Sequence, residues 1–121
     1  MKTLYNDMEY LDFFIRAMLS YSGRVRVGRL QRLAERTGYG DDMCACTYSQ
    51  RYDDICPEGK VAIVDWDWDN PEEINTLVLY DPTFFYQHLE AACEKTAQKY
   101  PEDRKPMEQA LAKIRHDLNL D

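Results

Sequence analysis

The stretch from Val61 to Tyr80, VAIVDWDWDNPEEINTLVLY, constrains the fold more than any other part of the chain. Two apolar, β-branched runs flank Asn-Pro-Glu-Glu, and turn residues between such runs read as the link between two strands. In a strand over 61–69, side chains alternate between faces. Val61, Ile63, Asp65, Asp67 and Asp69 then share one side, and Ala62, Val64, Trp66 and Trp68 the other. The second strand, Ile74–Tyr80, stops at Asp81-Pro82, a helix-entry signal. The expected unit is a hairpin whose far end is acidic and flanked by tryptophan, with Trp68, nearer the turn, as the exposed one of the pair. With Glu72 and Glu73 beside it, that end has three readings. It is a solvated face that keeps an edge strand from pairing with other chains, a docking surface for a basic partner, or a carboxylate site for metal or catalysis.

The third reading needs convergent ligands or a paired acid and base. Strand neighbours on one face stand about 6.5–7 Å apart, wide for clasping one ion unaided. No EF-hand glycine, H-E-x-x-H, nucleophile elbow or P-loop is present. His88 and His116 each fall near the polar side of an amphipathic helix, where a lone histidine is a surface residue far more often than a catalyst. Cys44, Cys46, Cys56 and Cys93 match neither zinc-knuckle spacing nor a secreted disulfide scaffold, and read as reduced, buried thiols. The chain is therefore expected to be no enzyme and to hold no metal or cofactor.

Charge decides between the other two. The net charge of −7 is concentrated: residues 1–40 carry seven basic and four acidic side chains, residues 41–81 two and eleven, and residues 82–121 six and seven. An acidic middle repels nucleic acid, whose binders present basic surfaces, and speeds encounter with a positively charged protein. The arginines at 16, 24, 26, 29, 32 and 36 lack a stacking platform or phosphate-binding glycines. They read as a solvated helix face or as partners of the acidic sheet within the fold. The primary docking surface is then Asp65, Asp67, Asp69, Glu72 and Glu73 with Trp68 as aromatic anchor. The acidic loop with Asp53, Asp54 and Glu58 ranks second.

At 121 residues the chain fits one domain, taken as 1–121. No apolar run approaches the roughly 20 residues of a membrane span. Asp7, Glu9, Asp12 and Arg16 interrupt what would be a signal-peptide core, so a cytoplasmic protein is expected. A first helix is expected over about 7–20, with Asn6 as N-cap, Glu9 as its capping-box partner and apolar residues round most of its circumference. Ser22-Gly23 ends it. A second follows over about 25–37, closed by Gly38 and Gly40. A strand runs from Met43 to Ser49, then a polar loop from Gln50 to Gly59, then the hairpin. Asp81 as N-cap with Pro82 at the first position starts a third helix that stops at Pro101. A fourth begins between Glu102 and Pro106. The order ααβββαα gives an α+β fold, a three-stranded antiparallel sheet packed with about four helices.

Several stretches together resemble a known family: SGRVRVGRL at 22–30, GYGDD at 38–42, FYQHLEAACEKTAQKYPEDR at 85–104, and an opening LYNDM. They resemble CdiI-type immunity proteins of bacterial contact-dependent growth inhibition, in the ribonuclease toxin immunity group. The likeness covers both ends of the chain and leaves 43–80 unmatched. It implies a cytoplasmic, non-enzymatic inhibitor of the C-terminal ribonuclease toxin domain of a CdiA-type effector. The acidic surface, reached from charge alone, fits such a basic partner and would mask its RNA-binding or active-site cleft. A small acidic adaptor or assembly module for another basic protein is the alternative.

Overall fold

The hairpin read from 61–80 lies at the middle of a larger sheet than the sequence suggests. In the computed structural model, which describes residues 1–41, 43–48 and 55–121, the chain begins with β1 (Lys2–Tyr5), α1 (Met8–Phe14) and a π turn (Ile15–Leu19). A small ribbon of β2 (Ser20–Tyr21) and β3 (Arg24–Val25) leads to α2 (Val27–Arg36), β4 (Gly38–Gly40) and β5 (Cys44–Thr47). The hairpin of β6 (Val61–Trp66) and β7 (Ile74–Tyr80) is followed by α3 (Pro82–Lys99), a 3₁₀ turn (Pro101–Asp103) and α4 (Arg104–Asp117). The main sheet has the order β1-β7-β6-β5-β4, with β1 parallel to β7 and every other pair antiparallel.

The α+β class and the helices therefore stand, but the three-stranded antiparallel sheet is corrected to a five-stranded mixed sheet plus a two-stranded ribbon. Strands β5, β6 and β7 are the meander expected from short connections, and each edge gains a strand. On β1 only Leu4 turns toward the core, opposite Val78, so four residues are too few to show alternation. The Gly-Tyr-Gly of β4 reads as a turn because glycine disfavours strands. It is in the sheet because β5 approaches so closely: a Cβ at Gly40 would lie 2.4 Å from the Cα of Ala45.

Helix entries differ from the sequence reading in one consistent way. Asp7, not Asn6, caps α1, accepting the Tyr10 N–H at 3.0 Å. Asn6 is left-handed (φ 49°), a conformation asparagine tolerates, and its amide spans to Asp81. It donates to the Asp81 carboxylate at 3.1 Å and accepts the Asp81 N–H at 2.9 Å. The ends of the two parallel strands are thus tied together where both α1 and α3 depart. Asp81 does precede Pro82 at the start of α3, but its side chain makes no cap. It pairs with Lys60 instead, and the hydrogen bonds from Lys60 and Asn6 hold its carboxyl below the usual range. Ser22 and Gly23, both left-handed (φ 53° and 75°), are the turn of the β2–β3 ribbon rather than a helix stop. Thr37, with φ 52°, takes the C-cap of α2 expected of glycine.

All four helices cover one face of the sheet. Leu11, Phe14 and Leu19 of the first helical segment, Leu30 and Leu33 of α2, Phe85 and Leu89 of α3, and Met107 and Ile114 of α4 pack with Cys44, Cys46, Val61, Ile63, Val78 and Tyr80. Each large side chain so buried contributes roughly 1.5–3 kcal/mol. Met8 and Phe13 are about half exposed, so α1 is buried on one stripe and not round most of its circumference. On the opposite face Ala62 and Leu79 pack with Cys56. The four cysteines are buried and form no disulfide; burial pushes the Cys44 thiol up to about 11 and that of Cys93 to about 12, which keeps these two protonated. Arg24 and Arg29 of the basic row serve the helical side, and among the described residues no arginine of the row pairs with the acidic strand. Arg24 grips Asp103 through two bonds of 2.9 and 3.0 Å and lies 3.9 Å over the Tyr100 ring. Arg29 donates to the carbonyls of Met18 and Ser20. No helix among the described residues is long and apolar enough to cross a membrane.

Candidate functional site

Strand β6 ends at Trp66, three residues before the sequence reading ends it, because the β6–β7 ladder is interrupted there. Asp65 faces Thr76 and Trp66 faces Ile74, leaving Asn75 as an extra residue on β7, and such a bulge sharpens the local twist and ends regular pairing. The Trp66 N–H turns to the Met43 carbonyl at 2.9 Å. From Asp67 to Glu73 the chain is a closed turn. The Asp67 N–H donates to the Glu73 carbonyl and the Glu73 N–H to the Asn70 carbonyl, each at 2.9 Å. The Asp67 carboxylate accepts the Asp69 N–H at 2.8 Å, the Asx-turn geometry that favours aspartate there.

The expected acidic face of three alternating aspartates is therefore replaced by a turn with a different distribution. Asp69, Glu72 and Glu73 are exposed and Asp67 is half-buried. Trp68 stands 78% exposed in their midst, while Trp66 is half-buried on the sheet, so the two tryptophans divide as expected. Asp65 is set back on the helix-facing side between Cys44 and Thr76, and burial raises its carboxyl pKa. Asp53 and Asp54 of the second-ranked loop lie outside the described residues; Glu58 is exposed.

Electrostatically, residues 65–73 hold the largest cluster of acids outside ion pairs among the described residues. Elsewhere several acids are matched, Asp103 by Arg24, Asp81 by Lys60, Glu94 by Arg104 and Asp117 by Lys113, while single ones such as Glu9, Asp12 and Glu35 are not. Among the described residues, none of Asp65, Asp67, Asp69, Glu72 and Glu73 enters an ion pair. The nearest cation by register is Lys2, which stands beside Thr76, two strand spacings (roughly 9–10 Å) from Asp65. Asp41, which the sequence reading left as a strand lead-in, belongs to this acidic end. Its carboxylate accepts the N–H groups of Met43 and Cys44 at 2.8 and 2.9 Å, and Asp41 and Asp65 both bear on the Cys44 thiol. An aspartate two and three residues ahead of the N–H groups it holds is a signal the sequence carries. Neither histidine is near this chemistry: His88 bonds the Phe84 carbonyl of its own helix and His116 bonds Asp121.

The molecule is thus a small α+β domain with helices on one face and an unpaired acidic turn, crowned by tryptophan, at one end of its sheet. Residues 8–111 match the family model of CDI immunity proteins, the immunity proteins of contact-dependent growth inhibition. The chain belongs to that family. No curated protein and no solved structure matches it.

Proposed function

We propose that the chain is a cytoplasmic immunity protein that binds the C-terminal ribonuclease toxin domain of a CdiA-type effector and neutralises it without chemistry of its own. A ribonuclease has to present basic surface to hold RNA. An acidic body seated on that surface denies it to the substrate. The observation that carries the reading is the clustering: five carboxylates fall within residues 65–73 and none of them enters an ion pair among the described residues, whereas Asp81, Glu94, Asp103 and Asp117 are each engaged by an arginine or lysine of the fold. Trp68 supplies the exposed aromatic that would anchor the contact, since binding energy concentrates in buried aromatics and desolvated charge pairs.

Titration of the purified protein with a catalytically inactivated toxin domain, taken from the gene beside its own, tests this. Tight binding is expected, with a loss on the order of 2–5 kcal/mol when Asp67 and Asp69 are both replaced by asparagine. Absence of binding to the neighbouring toxin would instead favour an acidic adaptor for some other basic protein. Binding that survives the double replacement unchanged would move the interface off the turn.

A further inference from the structure

The helix-free side of the sheet carries a feature that the acidic turn leaves unexplained. Register places Gly40, Ala45 and Val64 in one row across β4, β5 and β6, on the face away from the helices. Glycine and alanine add almost no side chain there. The surface sinks into a trough of about 790 Å³, which Trp66 and Ile55 also line. That size falls within the roughly 300–1,000 Å³ of pockets that accept ligands and is several times one side chain. Among the described residues, Glu35 and Asp41 stand on its border against one cation, Arg36, so that part of the border continues the negative sign of the turn. The trough and the turn are contiguous, because the residue that lines the one, Trp66, is bonded to the residue that opens the other, Asp67.

We propose that this trough receives a loop of the toxin, apolar at its tip and basic at its flanks, seated against Trp66 while the acidic turn holds the toxin's basic surface. The inference rests on the function proposed above and adds a second, apolar half to the interface. Charge alone attracts any basic protein; a shaped apolar recess beside the charge admits only a partner with the matching protrusion. The occupant is read from both properties of the site: apolar, small-residue floor for the tip, acidic border and neighbouring turn for the flanks.

Two measurements test it. Ala45 is half-buried on the trough floor, and Ala45→Phe fills the space. The expected result is a melting temperature within about 2 °C of wild type together with toxin affinity weakened about ten-fold or more. Unchanged affinity would overturn the proposal, and so would a sharp fall in melting temperature, which would show that the chain's own residues already occupy the trough. Independently of that variant's folding, Trp66 is the sole tryptophan in Trp68→Phe. Labelled with 5-fluorotryptophan, it should show a shifted fluorine resonance on saturation with unlabelled, inactivated toxin domain; an unmoved resonance overturns the proposal. If Ala45→Phe binds normally while the asparagine double variant does not, only the trough is lost. If both bind normally, the acidic-turn reading is lost with it.

Discussion

Asp67 has two separable jobs, and a single pair of substitutions divides them. Its carboxylate holds the Asp69 N–H, a bond worth roughly 0.5–1.5 kcal/mol, and it contributes charge to the turn. Asn keeps an oxygen for the bond and loses the charge. Asp67→Asn is therefore expected to melt like wild type and to bind toxin more weakly, whereas Asp67→Ala should both loosen the turn and weaken binding; equal melting temperatures for the two variants would remove the turn-forming role. Asp65 gives the opposite kind of prediction. Its pKa is raised in the folded state by burial, so ionising it costs stability as pH rises from the unfolded value, about 3.9, through the folded one. Asp65→Asn should raise the melting temperature at pH 7 and leave it unchanged below the unfolded pKa, where both chains are neutral at this position. A variant less stable than wild type at pH 7 would contradict this. At Gly40 the backbone is decisive. Any Cβ meets the backbone of Ala45 and Cys44, and Gly40→Ala should cost about 1–3 kcal/mol by overpacking, measured by denaturant unfolding; a neutral effect would mean that β4 does not lie against β5 as described.

Elements whose partners are close in sequence were legible, and those whose partners are distant were not. The β6–β7 hairpin and the Pro82 start of α3 follow from alternation and from turn and proline chemistry within a few residues. Strand β1 pairs with β7, whose residues lie about seventy positions on, and nothing in Lys2–Tyr5 announces that pairing. The hairpin's length was overestimated because alternation of Asp and Trp continues through 69, while the bulge that ends pairing is set by Asn75 on the other strand. Within the basic row, Arg16, Arg32 and Arg36 are exposed as a solvated helix face would have them, and Arg24 departs for a similar reason: it is held by Asp103 of the α3–α4 junction, 79 residues away. That pair fastens the β2–β3 ribbon to the helical layer, with Tyr100 beneath the guanidinium. Asp103 is nearly buried while Arg24 retains partial exposure, so removing one partner falls below the full cost of a buried pair. Asp103→Ala should destabilise by about 1–3 kcal/mol, read from the shift of the denaturant midpoint, and a shift near zero would show that the ribbon is held by packing alone.

Over the whole molecule, the charge imbalance was the most legible property, because it is counted from the sequence without geometry. Folding adds what counting cannot: Arg24, Arg29, Lys60 and Arg104 are committed to internal partners, so the largest cluster of carboxylates left outside ion pairs among the described residues is at 65–73. The trough beside it was hidden, since it is assembled from three strands and the end of α2. The field of such a cluster steers a basic partner over roughly a Debye length, about 8–10 Å at ordinary salt, and acts on association more than on dissociation. The most direct measurement is the toxin association rate as a function of ionic strength, for wild type and for a variant carrying Asp67→Asn, Asp69→Asn, Glu72→Gln and Glu73→Gln. Wild-type association should slow steeply with added salt, and the neutralised variant should associate slowly at every salt concentration with a nearly flat dependence. Equal rates and equal salt slopes for the two proteins would contradict docking through the acidic turn.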